Sequence, residues 1–138
     1  NYGAKREGDG ATPRGRWALK RVFYRKDRIR HIETPLEKFS ISKNLGWCDE
    51  PNSRYYNKLV MLPICASHEK LWREDNKYNI VIELGFNDDP VIANKGSCIF
   101  IHCIDRNQLF TEGCIGLEQE HVIAILLEAG FSTFLTID

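Results

Sequence analysis

The chain has 138 residues, a length that predicts a single domain. Its 19 Lys and Arg residues balance its 19 Asp and Glu residues, so the net charge is zero and there is no overall positive field to attract nucleic acid or an anionic membrane. No apolar run approaches the roughly 18 residues of a membrane-spanning helix, so we expect no nucleic-acid partner and no membrane span.

The first half of the chain alternates short apolar runs with loops. Residues 1–16 are rich in Gly and charge, and the aromatic and β-branched run from Trp17 to Tyr24 predicts a strand. Gly46 to Tyr56 predicts an ordered, irregular loop, and Lys58 to Pro63 predicts a short strand ended by proline. Ser67 to Tyr78 predicts a short helix or a loop.

The second half contains the clearest periodic patterns. Alternation from Tyr78 to Phe86 predicts a strand, and the apolar run from Cys98 to Ile104 predicts a buried one. A closing strand is predicted from Phe131 to Ile137. Helical spacing from Leu117 to Ala129 predicts the one helix, and many short strands with one late helix predict a mainly β domain. Four apolar residues would share the inner face of that helix: Val122, Ile123, Leu126 and Leu127.

A cysteine and a histidine form the most informative pair in the sequence. Cys114 follows Gly113, which permits a sharp backbone turn, and His102 closes the apolar run that begins at Cys98. A thiol and an imidazole that the fold can bring together are the nucleophile and the base that acyl transfer requires. His102 would act as the base, the amides of Gly113 and Cys114 would form an oxyanion hole, and the pKa of the thiol would lie below about 8.5.

Two other interpretations of the pair are open. In the first interpretation, Cys114 is a small core residue and His102 is a structural histidine. The second is a zinc site that also uses Cys98 and Cys103, but the spacing is unlike that of zinc fingers and adjacent strand residues point apart, so no metal site is predicted. The five cysteines are compatible with five free thiols or with two disulfides and one free thiol.

Several stretches together resemble one known family. The stretch from Gly96 to His102, followed by Thr111-Glu112-Gly113-Cys114-Ile115, resembles the active-site signature of the YkuD-type L,D-transpeptidases, the thiol enzymes of bacterial cell-wall synthesis. The turn Thr12-Pro13-Arg14-Gly15 resembles a family motif near the start of the domain. Four further stretches resemble a subgroup of this family that is common among Gram-negative bacteria: Gly46–Pro51, Tyr56-Asn57, Ser67–Arg73 and Asn87–Val91.

The resemblance implies a fold, a chemistry and a substrate. The fold would be a YkuD-like β-sandwich with a late α-helix and ordered loops, and residues 1–138 would be a single catalytic domain that is N-terminally truncated or processed. Cys114 would be the nucleophile, His102 its base, the Cys103 carbonyl the group that orients the imidazole, and the amides around Gly113 the oxyanion hole. The partners would be peptidoglycan stem peptides, as donor and acceptor, in the periplasm of the cell envelope, with no cofactor.

The sequence departs from the family signature at two positions. Glu112 stands where the signature has histidine, and Gly116 stands where it has an arginine that helps to bind a substrate carboxylate. Glu112 would face solvent or meet a cation or a substrate amine. The substrate carboxylate would then meet other cations, such as Arg54, Arg73 or Arg106.

Further candidate substrate contacts, and the type of reaction, stay open. His68 would bind substrate or act as a structural histidine oriented by Glu69, while Tyr56 and Asn57 would line a peptide groove or pack in the interior. The same site would also suit an L,D-carboxypeptidase or amidase that hydrolyses wall peptides, and a non-catalytic wall-binding module is the remaining alternative. A donor cut at the third residue of the stem and one cut at the first are equally compatible with the sequence.

Overall fold

A computed structural model describes residues 4–105, 111, 113–130 and 132–138. This part of the chain is mainly β with one late α-helix, as the sequence predicts. The helix α1 spans Gln119–Glu128, and a 3₁₀ turn spans Lys77–Asn79. The strands are β1 Gly15–Tyr24, β2 Lys38–Ser40, β3 Leu45–Cys48, β4 Leu59–Met61, β5 His68–Lys70, β6 Ile80–Leu84, β7 Phe100–Cys103, β8 Ile115–Leu117 and β9 Phe134–Ile137.

The strands form a large and a small sheet. The large sheet has the order β2-β1-β6-β7-β8, and β9 pairs with the first half of the long strand β1. In the small sheet, β3 lies between β4 and β5. At the end of the large sheet, β7 and β8 run parallel, whereas β1, β6 and β7 are antiparallel neighbours.

Side-chain alternation divides the core into one cluster on each face of the large sheet. One cluster is covered by α1 through Val122 and Leu126, which are both fully buried. The other is covered by the small sheet and its continuation through Trp47 and Leu71. The result is a sandwich in which the central strands supply adjacent residues to opposite clusters, namely Val22 and Phe23, Ile82 and Val81, and Ile101 and Phe100.

Two predictions for the middle of the chain are wrong in part. The start of the predicted loop from Gly46 to Tyr56 belongs to β3, whose four residues are all buried. This strand is only four residues long and contains a glycine, so its pattern is too short to identify it. The region from Ser67 to Tyr78 is mostly a loop, which is one of the two predicted forms, but it also contains the unpredicted strand β5. This three-residue strand pairs with β3, which lies about 20 residues earlier in the chain.

The helix is shorter and more exposed than the sequence predicts. Leu117 belongs to β8, and α1 ends at Glu128. Val122 and Leu126 are buried, but Ile123 is 37% and Leu127 58% exposed, so half of the predicted inner face is wrong. One step along a helix rotates the side chain by about 100°, and only the 122/126 row faces the sheet. None of the helices described is long and apolar enough to cross a membrane.

Candidate active site

The register between β7 and β8 brings the cysteine and the histidine to one face of the large sheet. Ile101 lies opposite Ile115, and His102 lies opposite Gly116, in a parallel pair. Opposite residues in neighbouring strands project to the same face, and Cys114 lies two residues before Gly116, so it shares that face. Consistently, Cys114 packs against the same apolar cluster as Phe100, which precedes His102 by two residues.

The Cys114 thiol is turned toward the interior in this structure. Its Sγ donates to the carbonyl of Cys98 at 2.9 Å, and the backbone of Phe100 hydrogen-bonds the sulfur. Burial raises the pKa of the Cys114 thiol from 9.0 to about 12, and the negative charge of Glu69 adds to the rise. The sequence-based expectation of a pKa below about 8.5 is therefore wrong, because the sulfur is enclosed and hydrogen-bonded as a neutral thiol.

His102 is held in an orientation suited to a base. The residue is only 4% exposed, and its Nδ1 lies 2.7 Å from the carbonyl oxygen of Cys103. A carbonyl accepts only, so Nδ1 carries the proton and Nε2 is left with a free lone pair. Burial lowers the pKa of His102 below 6.5, so the imidazole is neutral near pH 7 and can accept a proton through Nε2.

The turn before the cysteine requires glycine. Gly113 has φ of +88°, and a Cβ at this position would lie 2.7 Å from the carbonyl oxygen of Ala11. The hydroxyl of Thr111 donates to the Cys114 carbonyl at 2.7 Å and braces the same turn. The role of the Gly113 and Cys114 amides as an oxyanion hole remains a prediction.

Two of the predicted substrate contacts, His68 and Arg73, are partly exposed. The Nδ1 atom of His68 lies 2.8 Å from the carbonyl of Ala66, so that carbonyl, rather than Glu69, orients the ring. Arg73 makes a two-point ion pair with Asp75 and lies 5.3 Å from the centre of the Tyr78 ring. Both side chains are partly exposed, and the positive charge of Arg73 helps to lower the pKa of His102, after the larger effect of burial.

Tyr56 lies in the interior, where its hydroxyl is engaged in the fold. The residue is 2% exposed, its hydroxyl donates to Glu7, and it accepts from the Gly96 amide at 2.9 Å. The hydroxyl of Ser97 donates to the same Glu7 carboxylate at 2.7 Å. Tyr56 thus ties the N-terminal segment to the loop that leads into β7.

Asn57 is also buried, and its side chain makes four hydrogen bonds. Its Oδ1 accepts from the Trp47 indole at 2.9 Å and from the Cys98 amide at 3.2 Å. Its Nδ2 donates to the carbonyls of Phe86 and Asn87 at 3.0 and 2.8 Å. The whole hydrogen-bonding capacity of the amide is used to hold the backbone next to the site.

Three further candidates are remote or undescribed. Arg54 is exposed, and its guanidinium contacts the hydroxyl and ring of the neighbouring Tyr55. The predicted roles of Glu112 and Arg106 fall outside the described residues. Within the described ranges, no group of three His, Cys, Asp or Glu side chains is arranged to hold a metal ion.

The structure adds two residues that the sequence analysis did not assign to the site. Tyr78 places its ring 5.5 Å from that of His102, at an interplanar angle of 66°. The hydroxyl of Tyr78 donates to Glu69, which lies opposite Trp47 in the register of β3 and β5. A signal was present in the sequence, because Glu69 and the fully buried Leu71 are two residues apart and share the inward face.

Comparison with known proteins agrees with this geometry. A family model for YkuD, the L,D-transpeptidase catalytic domain, matches residues 1–129, which include both sheets except β9. Searches of curated proteins and of solved structures give no match. Since the matched region includes Cys114, His102 and nearly the entire domain, the chain belongs to the YkuD family of L,D-transpeptidase catalytic domains.

Proposed function

We propose that this protein is a peptidoglycan L,D-transpeptidase that joins stem peptides through a Cys114 acyl-enzyme. The observation that carries the proposal is the shared face of β7 and β8, where Cys114 lies diagonally across from a neutral His102. The family match supports acyl transfer at such a pair. The donor would be a stem peptide with an L-residue joined to a D-residue, and the acceptor would be an amine of a second stem.

The chemistry proceeds in two acyl transfers. Nε2 of His102 takes the thiol proton as Sγ of Cys114 attacks the carbonyl carbon of the L-residue. The C–S bond forms, the C–N bond breaks, and the imidazolium returns the proton to the leaving amine of the D-residue. The acceptor amine, such as that of a diaminopimelate side chain, then attacks the thioester and releases the thiol. The broken amide conserves the acyl energy, so no cofactor is required.

The thiol hydrogen-bonded to the Cys98 carbonyl describes the state before substrate binds. With the pKa of Cys114 raised and that of His102 lowered, the two groups are neutral near pH 7. General-base attack by a thiol requires this arrangement, whereas a preformed thiolate and imidazolium would require the opposite shifts. The sulfur must leave the Cys98 carbonyl to reach Nε2, and we propose that a change of the Cys114 χ1 rotamer on substrate binding achieves this.

Substrate recognition is divided between surface contacts and residues that shape the wall. We propose that Arg73 and His68 contact the donor, because both are partly exposed beside Tyr78 and β5. Arg73 would supply the positive charge that Gly116 does not. Tyr56 and Asn57 would form the wall of the cleft from within, and Glu112 would meet the acceptor amine. The periplasm is the compartment in which such a substrate is found.

The raised pKa of Cys114 favours one alternative, a wall-binding domain without catalysis. Unless His102 takes its proton, a thiol with so high a pKa does not attack a carbonyl carbon, and Gly116 stands where the family signature has a cation. In that case the apolar cluster and Arg73 would bind stem peptides without turnover. Hydrolysis of the acyl-enzyme is the other alternative, and the products distinguish it.

Mass spectrometry of products from defined donor and acceptor stems tests the proposal. Wild-type protein is expected to give joined stems whose mass equals the two substrates minus the released portion of the donor. Cys114→Ala should remain folded and give none. Cys103→Ala is the matched control, because it removes a thiol from the opposite face and retains the carbonyl that orients His102.

Each outcome of this experiment has a defined meaning. Joined stems from Cys103→Ala but not from Cys114→Ala support the transpeptidase, and the product mass distinguishes a donor cut at the third residue from one cut at the first. Shortened stems alone indicate an L,D-carboxypeptidase or amidase. Stem peptides that bind without any change in mass indicate the wall-binding domain, and equal turnover by Cys114→Ala would rule out Cys114 as the nucleophile.

A further inference from the structure

One partly buried carboxylate lies between the surroundings of the nucleophile and those of the base. Glu69 accepts a hydrogen bond from the Tyr78 hydroxyl. Burial raises the pKa of Glu69, and the hydrogen bonds from Tyr78 and from the Cys98 thiol oppose that rise. Both partners are donors, which suits a carboxylate as the common acceptor. The acyl-transfer chemistry described above uses none of these three side chains.

On one side, Glu69 reaches the base through Tyr78. The aromatic ring of Tyr78 packs edge-on against His102 at 5.5 Å and against Phe100 at 6.2 Å. Tyr78 lies in the 3₁₀ turn before β6 and is 5% exposed. Since the hydroxyl is anchored by Glu69, the ring that confines His102 is fixed at both ends.

On the other side, Glu69 reaches the nucleophile through Cys98. The Cys98 carbonyl accepts the Cys114 thiol at 2.9 Å. The Cys98 backbone has φ of +56°, an uncommon value for a residue other than glycine, and its amide donates to Asn57. The contact of its thiol with Glu69 therefore adds a side-chain anchor to a backbone conformation that aims the carbonyl at Sγ.

We propose that Glu69 is a positioning residue of the active site, which holds Tyr78 against His102 and Cys98 against Cys114 through a single carboxylate. Its charge also acts on the nucleophile, because Glu69 is the strongest of the charged neighbours that disfavour ionisation of Cys114. Removal of this charge, with the shape preserved, should make the thiolate easier to form.

Charged groups from several parts of the chain affect the ionisation of Cys114 and His102. Among the described residues, Lys5 and Lys77 favour the Cys114 thiolate, and Glu69 opposes it. Asp49, at the end of β3, adds to the negative charge around Cys98 and Glu69. The groups that act on His102 are Lys77, Arg73 and Asp75.

The pH dependence of Cys114 alkylation tests the charge of Glu69. The measurements use a Cys65→Ser background, because Cys65 is exposed, and follow the Cys114 peptide by mass spectrometry. Glu69→Gln is expected to lower the pH at half-maximal alkylation by roughly one unit. Glu69→Asp retains the charge and should stay near the wild-type value, whereas Lys77→Met should raise it. The matched control is Glu128→Gln, an identical change on the exposed face of α1, which should have no effect.

Tyr78→Phe tests the anchoring independently, because it preserves the ring and the charge of Glu69 but removes the hydroxyl. Loosened packing should expose His102 to water and shift its pKa toward 6.5, as measured by NMR titration of the ring protons. An unchanged alkylation midpoint in Glu69→Gln, or an unchanged His102 titration in Tyr78→Phe, would overturn the inference. Circular dichroism checks each fold, and if Glu69→Gln is unfolded, Tyr78→Phe still tests whether Glu69 anchors the ring that confines His102. These measurements need no peptidoglycan, so their failure is distinct from failure of the proposed reaction.

Discussion

A Cβ at position 116 would lie 3.7 Å from Cε1 of His102, because Gly116 is the residue opposite His102 in the parallel register of β7 and β8. The other nearest atoms, in Ile104 and Thr111, would lie at 3.4 and 3.6 Å, which are ordinary van der Waals distances. A methyl group therefore fits beside the base in ordinary van der Waals contact.

Gly116→Ala is therefore expected to be tolerated. The new methyl group meets no close contact, and the change reduces the conformational entropy of the unfolded chain, so the free energy of unfolding should be unchanged or rise by up to about 1 kcal/mol. Urea unfolding measures this value, and His102 should titrate as in the wild type. A loss of more than about 1 kcal/mol would contradict the observed spacing beside His102.

Gly113→Ala is expected to be destabilising, by about 1–3 kcal/mol. Its Cβ would approach the backbone oxygen of Ala11 to 2.7 Å, and its φ of +88° is unfavourable for alanine. Gly130→Ala is the matched control, because no atom lies within 4 Å of its Cβ position and its backbone is not left-handed. In thermal unfolding, the Tm of the Gly113 variant should be several degrees below that of the wild type, and the Tm of the Gly130 variant should change little. Equal changes in the two variants would argue against the close packing of Ala11 on this turn.

Asn57→Ala should destabilise the fold by about 2 kcal/mol or more. The substitution leaves the Trp47 indole and the Cys98 amide without their acceptor, and a buried unsatisfied donor typically costs about 1–3 kcal/mol. Asn52→Ala, an identical change at an exposed position, should stay within about 0.5 kcal/mol of the wild type. Chemical denaturation of the wild type and the two variants gives the free energies of unfolding to be compared. A loss of less than about 1 kcal/mol in Asn57→Ala would instead indicate that the Asn57 side chain lines a substrate groove.

Ionisation of Cys114 should destabilise the folded protein at alkaline pH. Its pKa is raised from 9.0 to about 12, so the folded state retains the thiol proton after the unfolded state has lost it. Between pH 9 and 12 the unfolded state binds fewer protons, and the free energy of unfolding falls as pH rises. The contribution is fully present below pH 9 and is lost as pH passes through about 12.

Comparison with Cys114→Ala isolates this effect, since Cys98, Cys103 and the buried tyrosines also titrate at high pH in both proteins. The unfolding free energy of the variant should fall less steeply from pH 9 to 12. Parallel curves for the two proteins would mean that the thiol is not enclosed in solution.

The parts of the fold that follow from the sequence are those with local periodic signals. The strands β6 and β7 and the helix α1 lie within their predicted ranges, because alternation, an apolar run or helical spacing continues over five or more residues. By contrast, β2, β3, β5 and β8 have only three or four residues each and no longer run around them, so their conformation depends on distant partners. Propensity over three residues is too weak to specify a strand.

The candidate site shows the same division. Cys114 and His102 are twelve positions apart, and a glycine turn beside one and an apolar run before the other are local signals. Glu69 and Tyr78 become their neighbours only because the small sheet packs on the large one. The direction of the Cys114 pKa shift likewise depends on the cluster around Phe100, which is assembled from remote strands.

The strand β7 contributes Ile101 to the cluster under α1 and Phe100 to the cluster under the small sheet, and the next residue is His102. A local opening that released this strand would expose both clusters at once, so backbone amides of β7 should exchange with deuterium only when the entire domain opens. Heat inactivation and melting should then coincide on a single curve, and no partially unfolded form would retain a working imidazole.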